Sequence, residues 1–427
     1  MWDTLWLNAV VATMEPGGAP YGLIDNGAVG IASSRIVWVG QAAALPDRPL
    51  ALAREVLDAG GRTLTPGLCD PHTHVVHAGH RRGDFELRLA GATRDDLARV
   101  NGGVRGTMLS TRTASEEQLF SQSATRVAAL IAGGVTTLES KSGYGLDLDT
   151  ELKLLRVSRD IGRRMPVTIV TSFLGAHGVP PEFEGRSGDY VAFLCDTVLP
   201  AALAENLVDF MDGFCDSPAF RGFSHAETER LFEAGAAAGL RLTLHADQYS
   251  EFGAGALAAR HGALSAAHLE YANEETVRAM AEAGTVALLL PGANYTLFET
   301  AKPPVALFRA HGVGIGLATN NNPSSSPCTM PTMIMNLACY LFRVTPEEAV
   351  AGFTRESARA LGLLADRGTI APGKVADLVL WDVEHPAELP YRIAHNPVHL
   401  VVKGGAVVYR AAAPDIRVGA SSPATSS

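Results

Sequence analysis

The sequence is poor in charge, carries no excess of basic residues and has no long apolar run. Charged residues make up 19% of the 427 residues, and Asp and Glu (45) outnumber Lys and Arg (35), which gives a net charge of −10. Nucleic-acid-binding surfaces are usually basic, and anionic membranes attract basic segments, so this balance argues against both partners. No run of about 18 apolar residues occurs, so we expect no membrane-spanning helix.

Cysteine is also scarce. The five cysteines are an odd number, and no two form a Cys-x-x-Cys motif, which argues against a disulfide framework and against a zinc ribbon. Free thiols in a reducing compartment are the simpler interpretation. The N-terminus has no basic segment before its short apolar run, unlike a signal peptide. We therefore expect a cytoplasmic protein.

Strand-like and helix-like segments alternate through the middle of the chain. Eight short apolar runs are separated mostly by stretches long enough for a helix, and such alternation over about 250 residues is typical of a (β/α)8 TIM barrel. The predicted strands are residues 64–70, 135–140, 167–173, 207–214, 241–246, 264–269, 286–290 and 314–318.

Both chain ends consist of short strand-like segments instead. They predict a small composite β-sandwich domain, formed by residues 1–63 and 366–410 around a barrel of residues 64–365. The Gly404-Gly405 pair predicts a hairpin in its C-terminal part. Residues 411–427 are rich in Ala, Ser and Pro, and we expect them to form a loose tail.

Reactive side chains of a TIM barrel lie where its strands end. The first predicted strand is followed by His72 and His74, and residues at i and i+2 of an extended chain point the same way. Two such imidazoles, joined by His245 from the fifth strand, can bind one metal ion and leave a position open for water. Each histidine alone could equally be a core residue, so the hypothesis rests on the set. Polar residues also follow the other predicted strands, namely Tyr144, His177, His268 and Asn320.

Longer motifs connect these residues to a known family. The run TPGLCDPHTHVVHAGHR resembles the first-strand motif of the amidohydrolase superfamily, and KSGYGL and LHADQ resemble segments of the imidazolonepropionase family in particular. The resemblance extends roughly from Leu5 to Arg410. It implies a metal-dependent enzyme that hydrolyses the cyclic amide 4-imidazolone-5-propanoate to N-formimidoyl-L-glutamate in histidine degradation.

The resemblance also implies a role for each matching residue. A single divalent or trivalent ion, zinc or iron, is held by three histidines and by the position after the last strand: His72, His74, His245 and Asn320. A small anionic heterocyclic substrate is bound by Arg81, which holds the propanoate, by Tyr144, His177 and Gln248 around the ring, and by the loop with Asn322, Ser324 and Ser325. Catalysis involves His268, which polarises the carbonyl or transfers protons, together with Gln248 and Asn320. The family also implies a homodimer.

Four positions depart from the family pattern, and one of them is Ala267, which stands before His268 where the family usually has Asp. Asn320 stands where the family has Asp, and a neutral amide cannot act as a general base at pH 7. His268 and Asp247 are the candidate replacements for that base, although Asp247 is expected more often to be structural. Ser324 replaces a Gly, and Arg94 replaces a Tyr that can reach the substrate carboxylate. Arg94 is either a second cation for the carboxylate or a solvated charge.

These departures leave alternatives open. Three explanations of Asn320 stay open. It is a substitution made to trap a complex, or the general base of a natural enzyme has moved to another residue, or the protein has weakened or altered catalytic activity. The rival functions are a related amidohydrolase, such as a deaminase or another cyclic-amide hydrolase, and an inactive or weak ligand-binding protein. Lys141 follows the second strand rather than the fourth, so we expect an ion pair with Glu139 rather than a lysine bridging two metals. His77 and His80 are expected to be solvent or loop contacts.

Overall fold

The computed structural model describes residues 1–93, 96–97 and 102–412. Arg94 and the predicted tail from residue 413 onward lie outside these residues. Within them, no helix combines the length and the apolar character needed to cross a membrane. The α-helices are Pro49–Leu52, Arg82–Leu89, Gly103–Thr113, Glu116–Ala132, Leu148–Arg164, Ser187–Phe193, Leu199–Ala204, His225–Ala237, Ala254–Arg260, Glu274–Ala283, Pro291–Thr296, Val305–His311, Pro331–Phe342, Pro346–Gly352, Arg355–Ala360 and Glu388–Tyr391.

Eight parallel strands form the predicted barrel. Each strand pairs with the next in chain order. Their side chains are almost entirely buried, as expected for strands covered by helices on the outside. The strands are β6 (Leu68–Asp70), β7 (Val135–Lys141), β8 (Thr168–Ala176), β9 (Phe210–Cys215), β10 (Arg241–Ala246), β11 (Ser265–His268), β12 (Val286–Leu289) and β13 (Ile315–Leu317).

Side-chain and loop hydrogen bonds connect the two ends of the barrel sheet. In the described chain the ladder of strand pairs runs only from β6 to β13. The Asp70 carboxylate accepts hydrogen bonds from the Thr319 N–H at 3.0 Å and from the Thr319 hydroxyl at 2.5 Å. The His74 N–H donates to the Asn321 carbonyl at 2.9 Å. The segments that follow β6 and β13 are therefore held side by side at the carboxyl ends of the strands.

The two chain ends form a second sheet, as predicted. Its strands are β1 (Trp2–Ala12), β2 (Leu23–Ala32), β3 (Arg35–Gln41), β4 (Ala53–Asp58), β5 (Thr63–Pro66), β14 (Leu378–Trp381), β15 (Val398–Lys403) and β16 (Ala406–Arg410). The Gly404-Gly405 pair lies in the hairpin between β15 and β16. The strand order of the sheet is β16-β15-β14-β5-β1-β2-β3, and β4 pairs with β1.

The predicted first barrel strand, residues 64–70, is in fact two strands. β5 belongs to the terminal sheet, where it pairs with β1 and β14, whereas β6 pairs with β7 in the barrel. Both halves are buried, so the apolar run continues without interruption across the change of sheet. Gly67 lies at the junction, where an added Cβ would come within 2.3 Å of the Thr136 Oγ1. The apolar run therefore does not show where the terminal sheet ends and the barrel begins. In the structure this boundary lies at Gly67.

We predict that Gly67→Ala destabilises the protein. The new methyl group would also lie 2.9 Å from the Thr136 Cβ, which cannot move without displacing β7. Overpacking of this kind costs about 1–3 kcal/mol. Thermal unfolding checks the effect, with Gly18→Ala as the control because nothing lies within 4 Å of a Cβ there. Equal melting temperatures for the two variants would contradict the prediction.

Candidate active site

Three buried histidines meet at the carboxyl ends of the barrel strands. His72 and His74 lie in the segment after β6, and His245 lies in β10. One ring nitrogen of each residue can be chosen so that all three atoms lie within 4.8 Å of one another. The fold thus brings together the predicted histidine ligands, although His74 and His245 are 171 residues apart in the chain.

The ring nitrogens of this cluster are available as ligands. Both nitrogens of His72 and the Nδ1 of His74 are buried and have no hydrogen-bond partner among the described residues. Burial lowers the pKa of His72 and His74 well below the usual range and that of His245 to about 4, so all three rings are neutral at pH 7. Buried neutral imidazoles with free lone pairs are what a metal such as zinc requires. The residues present therefore fit a metal ion.

A buried lysine lies directly behind the cluster. The Lys141 Nζ is 2.7 Å from the Glu139 Oε1 and 2.7 Å from the Asp212 Oδ2, and all three side chains are almost completely buried. The expected ion pair between Lys141 and Glu139 is confirmed. Asp212 was not predicted, although a carboxylate inside the otherwise apolar strand β9 was an available signal.

The two carboxylates reach both parts of the histidine cluster. The Glu139 Oε2 accepts a hydrogen bond from the Thr73 N–H at 3.1 Å, and Thr73 lies between His72 and His74. The Asp212 Oδ2 lies 3.2 Å from the His245 Nδ1, and the Nε2 of His245 faces the Nε2 of His74 at 3.4 Å, on the side where a metal ion would bind. Burial alone would lower the Lys141 pKa, but the charges of Asp212 and Glu139 raise it overall. Lys141 is therefore protonated and holds both carboxylates.

Tyr144 and His177 extend the cluster to one side. The His177 ring stacks on the His74 ring with centroids 5.0 Å apart, and the Tyr144 ring lies 5.6 Å from that of His74. The His177 Nδ1 lies 2.9 Å from the Gly143 carbonyl oxygen, so it donates there and its Nε2 is left as an acceptor. Burial raises the pKa of Tyr144 to about 12 and lowers that of His177 to about 3. Both side chains are neutral and adjoin the predicted ligands.

His268 lies at the other side of the cluster, at the end of β11. Its ring centroid is 5.7 Å from that of His245 and 6.1 Å from that of His72. Its Nδ1 lies 3.6 Å from the Glu270 Oε2, and within the described chain neither atom has a hydrogen-bond partner. Glu270 was missed from the sequence, where a carboxylate two residues after the histidine was the available signal.

Asn320 and the loop after β13 lie beside the histidines. The Asn320 Oδ1 is buried and has no hydrogen-bond partner in the part of the chain that the structure describes. The Asn322 Oδ1 accepts the N–H groups of Ser324 and Ser325 at 2.9 and 2.7 Å, and its Nδ2 donates to the Asn320 carbonyl at 2.7 Å. Asn322 therefore shapes the loop, and both serine N–H groups are already bonded within it.

Arg81 precedes the helix Arg82–Leu89, which follows the histidine segment. Its Nε lies 2.8 Å from the Asp84 Oδ2, and both side chains are only 12% exposed. The guanidinium that the family resemblance assigns to the substrate carboxylate thus already has a carboxylate partner.

Asp247 is not a base in this site, contrary to one of the hypotheses above. Its carboxylate accepts N–H groups from Phe252, Ala254 and Gly255 at 3.2, 2.9 and 2.9 Å, so it holds the start of the helix Ala254–Arg260. A carboxylate engaged in this way has a structural role. Gln248, the next residue, has a buried side chain beyond the end of β10.

His77 also differs from expectation. It is buried rather than solvent-exposed, and its ring lies 6.1 Å from that of Tyr144. Burial lowers its pKa to about 3. His80 is exposed, as expected.

Comparison with known proteins agrees with this site. A family model described as "Amidohydrolase family" matches residues 105–409. The chain is 51% identical over 403 residues to a protein named imidazolonepropionase from Caulobacter vibrioides, covering 94% of this chain and 99% of the relative. It is 50% identical over 401 residues to a protein of the same name from Ruegeria pomeroyi, covering 94% and 98%.

Solved structures of other enzymes share the fold. A 5-methylcytosine deaminase from Klebsiella pneumoniae, liganded with 5-fluorocytosine, superposes with a TM-score of 0.73 at 15% identity, covering 97% of this chain and 99% of that one. A triazine hydrolase from Arthobacter aurescens superposes with a TM-score of 0.73 at 17% identity, covering 96% and 95%. At such identities the likeness shows the fold alone.

The barrel, its histidine cluster and the matching family model define a hydrolase of the amidohydrolase class. Its relatives are half identical over nearly their whole length. The chain belongs to the imidazolonepropionase family.

We predict that Lys141→Met weakens metal binding. Without the ammonium group, two buried carboxylates lose the charge that holds them against Thr73 and His245. Loss of such supporting contacts typically costs about 10- to 100-fold in metal affinity. Competition with a zinc chelator measures the affinity directly and does not depend on turnover.

The matched control is Lys403→Met, which removes another lysine–aspartate pair, the partly buried Lys403–Asp377 pair of the terminal sheet. It should lower stability and leave zinc affinity unchanged. Asp212→Asn provides a second test if Lys141→Met does not fold. Wild-type zinc affinity in both Lys141→Met and Asp212→Asn would show that the ion pair does not support the metal ligands.

Proposed function

We propose that this protein hydrolyses 4-imidazolone-5-propanoate to N-formimidoyl-L-glutamate, the cyclic-amide hydrolysis of histidine degradation. Water adds to the ring carbonyl carbon, the bond from that carbon to the ring nitrogen breaks, and the carbon becomes the new carboxylate. The observation that carries the proposal is the cluster of His72, His74 and His245, from each of which one ring nitrogen lies within 4.8 Å of the other two at the carboxyl end of the barrel. The name of the relatives at 50–51% identity supports this particular reaction.

We assign metal binding to the ring nitrogens of His72, His74 and His245. The Asn320 Oδ1 is the fourth donor and the one oxygen among them. A zinc or iron ion bound there supplies a Lewis acid and a water whose pKa is lowered towards about 7. Imidazole ligands suit both metals. The unpartnered Oδ1 of Asn320 supports its inclusion, because a buried amide oxygen without a partner is costly.

The substrate ring would lie against Tyr144 and His177. Both side chains are neutral and buried beside the His74 ring, so they offer flat surfaces and a hydrogen-bond acceptor without a competing charge. Gln248 would contact the ring from the end of β10. The loop shaped by Asn322, with Ser324 and Ser325, would close the opposite side.

Proton transfer is assigned to His268. Asn320 cannot accept a proton, and the Asp247 carboxylate is occupied by three N–H groups. His268 has an unbonded ring nitrogen facing the Glu270 carboxylate at 3.6 Å. Glu270 would orient the imidazole and stabilise it once it has taken the proton, as carboxylates paired with catalytic histidines do.

One observation also supports a second candidate function. Asn320 replaces the carboxylate of the family pattern, which would suit a related amidohydrolase with another cyclic amide or aminated heterocycle as substrate, or a protein that binds its ligand with little turnover. These two candidates predict slow or absent turnover of imidazolone propanoate by the metal-loaded protein.

The remaining assignments concern the setting of the enzyme. We propose that it works in the cytoplasm, because all five cysteines are free thiols and suit a reducing compartment. We propose a homodimer, on the family resemblance alone.

We predict that the zinc-loaded protein consumes 4-imidazolone-5-propanoate and that His268→Gln lowers kcat by about 10²- to 10⁴-fold, the usual contribution of a general base. The loss of substrate absorbance measures both. His261→Gln is the control, since His261 is a partly exposed histidine paired with Glu229 at 3.9 Å outside the cluster. A zinc-loaded protein that shows no turnover would contradict the proposed reaction, and a fully active His268→Gln variant would contradict the assigned base.

We predict that Asn320→Asp raises kcat by at least about tenfold. The new carboxylate can take a proton beside the metal-binding histidines, and base assistance of this kind is worth orders of magnitude. The same absorbance assay compares both proteins at equal zinc occupancy. An unchanged or lower kcat would show that a carboxylate at residue 320 does not act as a general base in this protein.

A further inference from the structure

A buried carboxylate holds the loop that carries Tyr144. Glu151 lies in the first turn of the helix Leu148–Arg164, and it is completely buried. Its two oxygens accept three backbone N–H groups of the loop, those of Gly143 at 2.9 Å, Gly145 at 2.8 Å and Leu146 at 2.8 Å. The backbone on both sides of Tyr144 is therefore bonded to one side chain.

These N–H groups take the place that a cation has in a buried ion pair. Among the described residues, no Lys, Arg or His side chain pairs with the Glu151 carboxylate, and the Ser142 hydroxyl is its other hydrogen-bond partner. Burial raises the pKa of Glu151, and the hydrogen bonds from Ser142 and from the loop oppose that rise. Because a buried carboxylate without donors is costly, Glu151 and the loop are stable only together.

Gly143 connects this loop to His177. Its φ is +97°, and an added Cβ would lie 2.6 Å from the Leu174 carbonyl oxygen and 3.0 Å from the His177 Cβ, so only glycine permits the approach. The Gly143 carbonyl oxygen lies 2.9 Å from the His177 Nδ1. Gly143 therefore gives its N–H to Glu151 and its carbonyl to His177.

The contact with Gly143 decides which nitrogen of His177 carries the proton. A carbonyl oxygen can only accept, so the Nδ1 is protonated and the Nε2 keeps its lone pair. The His177 ring stacks on that of His74 with centroids 5.0 Å apart, next to the proposed metal ligands. The site therefore presents a hydrogen-bond acceptor on a ring whose tautomer is fixed.

We infer that Glu151 is a positioning residue, which fixes the tautomer of His177 through Gly143 so that the substrate ring must donate an N–H to the His177 Nε2. This inference rests on the proposed function, in which the ring lies against Tyr144 and His177. It assigns a specificity to the site: a cyclic amide with a ring N–H on this side is bound, and one alkylated at that nitrogen is rejected.

The tautomer can be measured without turnover. In zinc-loaded protein with isotopically labelled histidine, NMR distinguishes protonated from unprotonated ring nitrogens, and the loss of signals in His177→Gln identifies those of His177. We expect a protonated Nδ1 in the wild type and a mixture of tautomers in Glu151→Met, which loses all the loop contacts. Glu151→Gln should lie in between, because its amide group can keep one acceptor oxygen but places an NH2 group against the loop.

Substrate kinetics give a second readout. We expect Glu151→Gln to raise KM by about 2- to 10-fold, the value of one hydrogen bond, and to lower kcat by less than about twofold. A contact that is made equally in the ground state and in the transition state affects KM in this way. A general loss of folded protein would lower the apparent kcat instead.

Asp377→Asn is the matched control. Asp377 is also a buried carboxylate that accepts a glycine N–H, that of Gly404 at 2.8 Å, but it directly precedes β14 in the terminal sheet. This variant also loses the charge that pairs with Lys403. It should lower the melting temperature and leave both the His177 tautomer and KM as in the wild type.

Two results would overturn the inference. A wild-type His177 protonated on Nε2 would refute the tautomer, and a wild-type tautomer in Glu151→Gln and Glu151→Met would show that Glu151 only stabilises the loop. Glu151→Gln decides alone if Glu151→Met does not fold. Either result leaves the proposed function standing when the wild type turns over the substrate, whereas a wild type without turnover contradicts the proposed function whatever the tautomer.

Discussion

The buried contacts of Lys141 are the constraint on which the histidine cluster depends. One ammonium group holds two carboxylates: Glu139 fixes the backbone between His72 and His74, and Asp212 faces the Nδ1 of His245. Removing one partner from a buried ion pair typically costs about 3–5 kcal/mol, because a charge is left uncompensated. The ion pairs of Lys141, which join strands β7 and β9, therefore hold in place histidines from distant parts of the chain.

In the rest of the site, neutral side chains and cationic side chains lie in different places. Around the histidines, burial keeps the imidazoles of His74 and His177 neutral and leaves Tyr144 as an un-ionised phenol. The cations Arg81 and Arg88 lie on the helical segment after β6 instead. This division suits a substrate with a neutral reacting ring at one end and an anionic side chain at the other, because each half meets the environment that stabilises it.

Asn320 is the position at which this chain departs most from its family. The structure argues against one of the two candidate replacements for the general base, because the Asp247 carboxylate accepts three N–H groups at the start of a helix. His268, with Glu270 nearby, is the group that remains beside the cluster. The neutral Asn320 side chain still presents a buried oxygen that has no partner within the described residues. An uncharged side chain at this position is thus compatible with a metal ion held by the histidines, and we propose that His268 takes the proton-transfer role.

The sequence by itself determined the barrel, the composite terminal sheet and the positions of the three histidines that cluster at the carboxyl ends of the barrel strands. Apolar runs, and the polar residues that directly follow them, are local features of the sequence, so they can be recognised without knowing the tertiary contacts. It could not locate the boundary at Gly67, because both flanking strands are buried and equally apolar. Nor could it assign partners to Asp212 or Glu270. Contacts between segments that are distant in the chain decide such partners, as in the pair of Lys141 with Asp212, 71 residues away, and only the tertiary structure shows which charges are paired.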